Sequence, residues 1–489
     1  ISARVRALAA ELGAAGVHAG MNIGLHLPSG ANYIAYTYAI WACGACVTPI
    51  PTELSGVEKR EIRRVIAIDA ILAAARGHAA APDLPGDTAV DLAEGTRLLT
   101  GTRQGTPPPA LAALHPAFIR FTSGTTGSAK GVVLSHASIR ERIAAANAVL
   151  AIGPADRVLW LLSMAYHFAV SIVAYLSYGA GIVLPANAFG AGSLAAACEH
   201  AATIIYGAPT HYDLMTHDNN GLRLPPVRLA AVTTARLQPE LAARFEARFG
   251  VPLNETYGII ELGLPAINHD RPRERRGSVG QVLPAYELKL APVGDLQGRG
   301  ARGDTASDAA SDIGEVLLRG PGLLDAYYRP WRARAEILAE RGVGLATGDL
   351  GRLDAAGYLT LVGRAKDIIA VAGMKFFPQE VEAVLEGCDG VAEACVYGVP
   401  DPRRGEVPHA DIVPAVGTAL PDPQALVARC KAELAPYKVP EQIRLVAALP
   451  RTASGKLLRR GERPPRLAAV GVARQPHGAE AADARRTAE

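Results

Sequence analysis

Cysteine is scarce: 489 residues hold six, Cys43, Cys46, Cys198, Cys388, Cys395 and Cys430, with no dense spacing that would make a disulfide framework. A reducing cytoplasm is the expected location. Cys43 and Cys46 form a C-x-x-C, but no second pair completes a metal site, and YAIWACGACVTPI reads as a buried helix running into a strand. One-signed charge is lacking as well. Fifty basic against 47 acidic residues leave a formal charge of +3, too little to argue a nucleic-acid or anionic-lipid partner. There are no internal repeats, and the N-terminal ISARVRALAAELGAAGV reads as an amphipathic helix in place of a signal peptide, as if the chain were trimmed. Val158 to Cys198 carries no Asp, Glu, Lys or Arg and is long enough to span a bilayer. Gly179, Gly181, Pro185 and Gly190 break it, so helix plus buried strand is expected and no membrane span.

What the sequence has is length and apolar content. With 49% apolar and 20% charged residues it is globular, and 489 residues exceed what one core usually serves. From Asn22 to Val232 short apolar runs (NIGLHL, ACVTPI, FIRFT, VLWLL, GIVLP, TIIYGAP, LAAVTT) alternate with helical stretches such as SIRERIAAANAVLA and GSLAAACEHAA. That alternation predicts an α/β fold with largely parallel sheet. The texture turns β-rich from Arg276 to Leu318 (SVGQVLP, YELKLAP, IGEVLLRG), around a loop-like DLQGRGARGDTASDAASD. After Arg364 a small α+β unit is expected: KDIIAVAG a strand, PQEVEAVLEG a helix, VAEACVYGVP a strand, PQALVARCKAELAPYKVP a helix. The expected domains are 1–365, a large N-terminal domain of parallel-type sheets flanked by helices with a β-rich subdomain, and 366–460, a small mobile α+β domain; 461–489 reads as a disordered tail.

The strongest local signal is FIRFTSGTTGSAKGVVLSH, in which a strand-like run enters Thr122, Ser123, Gly124, Thr125, Thr126 and Gly127, followed by Lys130. Glycines let backbone N–H groups converge on an anion, hydroxyls add donors, and the lysine adds charge, so the segment fits a polyphosphate. It is not a Walker A loop, which ends Gly-Lys-Ser/Thr where this chain has Lys-Gly.

With five further segments in order, ETYGIIELG (255–263), GEVLLRGPGLLDAYY (314–328), ATGDLGRLDAAGYLTLVGRAKD (346–367), VAGMKFFPQEVE (371–382) and LPRTASGK (449–456), the chain resembles the adenylate-forming superfamily of acyl- and aryl-CoA synthetases, peptide-synthetase adenylation domains and luciferases. The resemblance runs from Gly13 to Arg460. It implies ATP and Mg²⁺ as cofactors, Tyr257 and Gly258 against adenine, Glu261 on the metal, and Asp349 and Arg364 at the ribose. A buried ion pair is the alternative for the last two. It also implies Lys456 as the lysine bridging substrate carboxylate and α-phosphate, Lys366 as a hinge, and Gly373 in a channel for the phosphopantetheine arm of CoA or a carrier protein.

By the same resemblance the acyl pocket draws on 163–172, 207–211, 232–237 and 258–263, with Tyr166 or His167 as gate and Phe168, Gly207 and Gly263 among its lining. His167 or Phe168 stands where peptide-synthetase domains place an Asp for an α-ammonium group, so an apolar aliphatic or aromatic acid is expected in preference to an amino acid. Two departures stand out: Ile260 replaces the Thr usual before the metal-binding Glu, and Val232-Thr233-Thr234-Ala235 replaces the usual Ser-Gly-Gly-Ala beside adenine. The expected activity is acyl-AMP formation from a small carboxylic acid, then transfer to CoA. The alternatives are loading of a phosphopantetheinyl carrier protein, and a nucleotide-binding protein that has lost turnover.

Overall fold

The computed structural model describes residues 1–75, 88–122, 130–188, 191–292, 313–340, 342, 344–451, 457–459 and 466–468, the side chains of 122, 191 and 466–468 apart. It separates into two compact units, the first running to Lys366 and the second starting at Asp367.

Among the described residues the first unit holds three sheets. In the nine-stranded one, Asn22–His26 is buried throughout and lies parallel between Cys46–Pro49 and Ala70–Ala74, with Pro116–Thr122 parallel beyond Cys46–Pro49. Unbroken apolar runs suit strands covered on both faces. Helix Ala31–Ala42 makes one of the crossovers that parallel neighbours require. Cys43 caps this helix and Cys46 opens the next strand; none of the six cysteines is in a disulfide. The expectation of largely parallel sheet needs correcting at the margins, where Thr88–Leu92, Thr96–Thr100, Lys130–Ser135 and Ala326–Tyr327 all add antiparallel. The second sheet has the same plan: Gly181–Val183, Arg157–Trp160, Ile204–Gly207, Leu229–Val232 and Leu253–Ile259 run parallel, then Gly263–Ile267 and Gln281–Val282 return antiparallel. Of SVGQVLP only Gln281–Val282 is strand. The third sheet, Glu287–Pro292, Gly314–Arg319, Leu345–Leu353 and Leu359–Arg364, is wholly antiparallel.

The uncharged stretch Val158 to Cys198 resolves into strands and short helices. Among the described residues no helix is long and apolar enough to cross a membrane.

In the second unit a long hairpin, Val391–Asp401 with Gly405–Pro414, joins Gln442–Val446 and is covered by helices Pro378–Glu386 and Pro423–Glu433. Val381, Leu385, Val396, Ile412 and Leu426 fill the layer between them. The expected last helix stops at Glu433 because Pro436 forces the residue before it out of helical geometry. KDIIAVAG is not one strand: Ile369–Val371 turns back as Met374–Phe376 through Ala372 and Gly373, both at positive φ as a two-residue hairpin of this twist requires. The tail beyond 460 is not wholly irregular either, since Arg466–Ala468 pairs antiparallel with Gln442–Val446.

Candidate active site

Strand Leu253–Ile259 carries Tyr257 out of the second sheet, and the turn before Gly263–Ile267 presents Glu261 four residues later. A buried arginine holds this turn. Arg142, from helix His136–Leu150, donates Nη1 to the carbonyl of Ile260 at 2.9 Å, Nη2 to that of Glu261 at 3.3 Å, and Nε to that of Gly322 at 3.0 Å. The Leu324 N–H adds a second bond to the Glu261 carbonyl at 2.6 Å. Burial lowers the pKa of Arg142 to about 10, which leaves it charged at neutral pH. Gly322 lies at φ +71°, and a Cβ there would sit 2.4 Å from that of Arg142, so no larger residue fits.

The Glu261 carboxylate accepts from the Tyr327 hydroxyl at 3.4 Å, and the ammonium of Lys130 stands 4.7 Å from the centre of the Tyr327 ring. Antiparallel pairing of Tyr327 with Val132 makes this meeting possible. The lysine that ends the phosphate-loop motif and the expected metal carboxylate thus share one tyrosine. Burial and the Glu261 charge push the Tyr327 hydroxyl well above its ordinary pKa, so it remains a donor.

Tyr257 is buried, and its hydroxyl donates to Asp349 at 2.6 Å. Asp349 is 6% exposed and pairs with the Arg364 guanidinium at 2.7 Å. The two face each other because Asp349 and Arg364 are register partners across Leu345–Leu353 and Leu359–Arg364. The ion pair weighed as the alternative to a ribose site is therefore present, and Tyr257 completes it.

At the expected gate, His167 lies edge-on to Trp160 (5.9 Å) and Tyr206 (6.4 Å), which stack on each other at 5.2 Å. Tyr166 lies under the Arg120 guanidinium, 5.2 Å from ring centre to Cζ. Phe168 departs from expectation: it is fully buried among Tyr33, Tyr38 and Trp41, so it supports the wall from behind and does not line a pocket. Gly263 also has a structural reason. It sits at φ +98° with a Cβ position 3.3 Å from Arg142, and a Cβ on Gly258 would come 3.0 Å from its carbonyl. A Cβ on Gly207 would meet Leu161, Tyr212 and His211 at ordinary contact distances, so packing does not demand that glycine.

Thr234 follows strand Leu229–Val232 at φ +76°, a conformation that is strained for a β-branched residue. The backbone keeps what the usual glycine would adopt, although the side chain disfavours it. Thr234→Gly is expected to stabilise the first unit by about 1 kcal/mol, strain relief outweighing the added freedom of the unfolded chain. A denaturant midpoint that stays put or falls would remove the strain argument. Ala235, next along, is exposed.

Lys366 belongs to the short turn Ala365–Asp367, and the division between units falls directly after it. Gly373 is exposed, with nothing within 4 Å of a Cβ built on it. Ser123 to Gly127, the Thr122 side chain and Lys456 lie outside the described residues. Sequence reasoning missed three residues: Arg142, Tyr327 and Arg120. Arg142 had a visible signal, since it shares the buried helical phase of Ile139, Ile143 and Ala146. Tyr327 lay inside a matched segment, without a role of its own.

Residues 1–328 match the family described as AMP-binding enzyme, and residues 380–456 match its C-terminal domain. The chain is 31% identical over 464 residues to sulfoacetate–CoA ligase of Cupriavidus necator, covering 91% of this chain and 88% of that protein. It is 30% identical to a feruloyl-CoA synthase of an Amycolatopsis species, covering 94% and 91%. Among solved structures, o-succinylbenzoate CoA synthetase of Bacillus subtilis in complex with its acyl-adenylate intermediate superposes with a TM-score of 0.75 at 25% identity, covering 95% of this chain and 93% of that one. Family match, relatives and fold agree over most of the length: the chain belongs to the AMP-binding enzyme family.

Proposed function

We propose that this protein is an acid–thiol ligase that converts a carboxylic acid and ATP to an acyl-adenylate and pyrophosphate, then transfers the acyl group to CoA. The observation that carries this reading is the convergence, four residues apart on one strand and turn, of the Tyr257–Asp349–Arg364 group with the Glu261–Tyr327–Lys130 group. The first offers an aromatic face and a carboxylate acceptor suited to a nucleoside. The second offers a carboxylate, a phenol donor and an ammonium suited to phosphates. The sulfoacetate and feruloyl relatives, both named for CoA thioester formation, support CoA as the acceptor.

A carboxylate is a poor nucleophile toward a polyanion, so negative charge on the α-phosphate must be neutralised as the acid oxygen attacks and pyrophosphate leaves. In this reading Lys130 and the Thr122–Gly127 segment hold the β- and γ-phosphates, and Lys456 approaches the α-phosphate and the acid. Glu261 is one carboxylate, and the described residues contain no cluster of three metal ligands. That donor set fits Mg²⁺, which is commonly held by one or two carboxylates plus substrate phosphates. When bound it would supply further charge neutralisation at the phosphates. Ile260 cannot donate the hydrogen bond of the usual Thr, which leaves the phosphates one donor fewer. Thiol attack on the acyl carbonyl then expels AMP; the second unit, turning at Lys366, would bring the Gly373 hairpin to line the thiol's approach.

Carboxylate-dependent exchange of labelled pyrophosphate into ATP, followed by thioester analysis with CoA and with a phosphopantetheinylated carrier protein, tests the reading. Exchange and acyl-CoA are the expected products. Acylation of the carrier alone would replace CoA as acceptor. Absence of exchange across a broad acid panel would instead leave a nucleotide-binding protein without turnover.

A further inference from the structure

We infer that Arg120 selects an acid carrying a second anionic group, whose oxygens its guanidinium takes beside Tyr166; the inference rests on the acid-activating reading above. Arg120 lies on strand Pro116–Thr122, and strand alternation puts it on the same face as Phe118. Its Nη1 donates to the Tyr166 carbonyl at 2.5 Å and its Cζ stands over the Tyr166 ring, 5.2 Å from the centre. Nε is enclosed and has no partner among the described residues, and no carboxylate there lies within ion-pair distance of the group. Arg444, by contrast, pairs with Asp411 at 2.7 Å and Arg142 spends its donors on three carbonyls, whereas Arg63 shares the pattern of Arg120, with an enclosed Nε lacking a partner and one bond, to the Thr102 carbonyl at 2.9 Å.

An enclosed guanidinium N–H without an acceptor is costly unless an anion arrives. A second unsatisfied donor lies in the same neighbourhood. The Tyr33 hydroxyl is buried without a partner among the described residues, and Tyr33 and Arg120 lie close enough for each to feel the other's charge. Burial holds the Tyr33 phenol in its neutral, donating form. Glu261 is close enough to attract Arg120 but is not bonded to it, and its carboxylate already accepts from Tyr327.

A planar guanidinium fork with a phenol donor matches a terminal carboxylate or sulfonate. Contact with Tyr166, and not with the Tyr257–Asp349–Arg364 group, favours the acid over the nucleotide as the source of that anion. This departs from the apolar acid expected from sequence, where the gate residues were read and Arg120 was only part of a strand.

The test compares wild type, Arg120→Met and Arg120→Lys on matched acids that differ only by a terminal carboxylate or sulfonate in place of a methyl group. Pyrophosphate release gives kcat/KM for each, and KM for ATP is measured alongside. Wild type is expected to prefer the dianionic acids. In Arg120→Met the ratio of dianionic to monoanionic kcat/KM should fall by roughly 100-fold, with the rise in KM on the acid and not on ATP. Arg120→Lys, which keeps the charge but loses the fork, should fall between; it carries the test alone if the Met variant does not fold. A wild-type preference for the methyl acids, an unchanged ratio, or a rise confined to the KM for ATP would overturn the inference while leaving acid activation standing. No pyrophosphate release with any acid would overturn acid activation itself, and this inference with it.

Discussion

Lys456→Ala is expected to slow carboxylate-dependent pyrophosphate release by about 100- to 1,000-fold while leaving CoA acylation from a supplied acyl-adenylate largely intact. The magnitude follows from removing one donor aimed at developing charge, worth about 2.7–4 kcal/mol of barrier in comparable sites. The selectivity follows from the chemistry of the two steps. Charge builds at the α-phosphate only in the first, whereas the second attacks an acyl carbon whose AMP leaving group is already formed. It also depends on the second unit acting in two orientations about Lys366, directly after which the chain divides. Separate measurement of the two half-reactions is decisive: equal losses in both would end the two-orientation account.

The second large effect is expected at Arg142. Arg142→Met keeps much of the stem that packs against Gly263 and Gly322 but deprives the buried carbonyls of Ile260, Glu261 and Gly322 of their donor. At about 1–3 kcal/mol for each unsatisfied group, partly offset by the Leu324 N–H that Glu261 retains, the loss should reach several kcal/mol. That is a large fraction of the stability of an ordinary domain. The variant should unfold at markedly lower denaturant and release pyrophosphate poorly, because the turn aiming Glu261 loses its brace. Arg142→Lys, with one compact ammonium in place of the fork, should recover only part of either. Unaltered unfolding in the Met variant would show that the three bonds are dispensable.

How far the site could be read in advance varies residue by residue. Tyr257, Glu261, Asp349 and Arg364 stood out because their segments occur in order with their flanking glycines, and the structure brings Tyr257, Asp349 and Arg364 into direct contact. The gate was legible only as a neighbourhood. Tyr166 and His167 project differently from Phe168, whose ring is drawn into the cluster of Tyr33, Tyr38 and Trp41. Periodicity assigns a residue to a face, yet three consecutive aromatic side chains on a short helix and its cap reach three different environments, and only the neighbours decide which. Arg120 illustrates the same gap. Its strand was legible from FIRFT, but nothing local announces that Tyr166, 46 positions away, would cover its guanidinium and leave Nε without a partner.

Order and spacing of residues alone thus determined the family and the alternation of strand and helix, because these depend on local pattern and composition. The fold itself decided the antiparallel sheet margins, the Asp349–Arg364 pair, the tyrosine shared by Lys130 and Glu261, and the brace from Arg142. Several of these join segments far apart in the chain, such as Val132 with Tyr327, and such registers are set by the packing of whole sheets and not by any stretch of sequence read on its own.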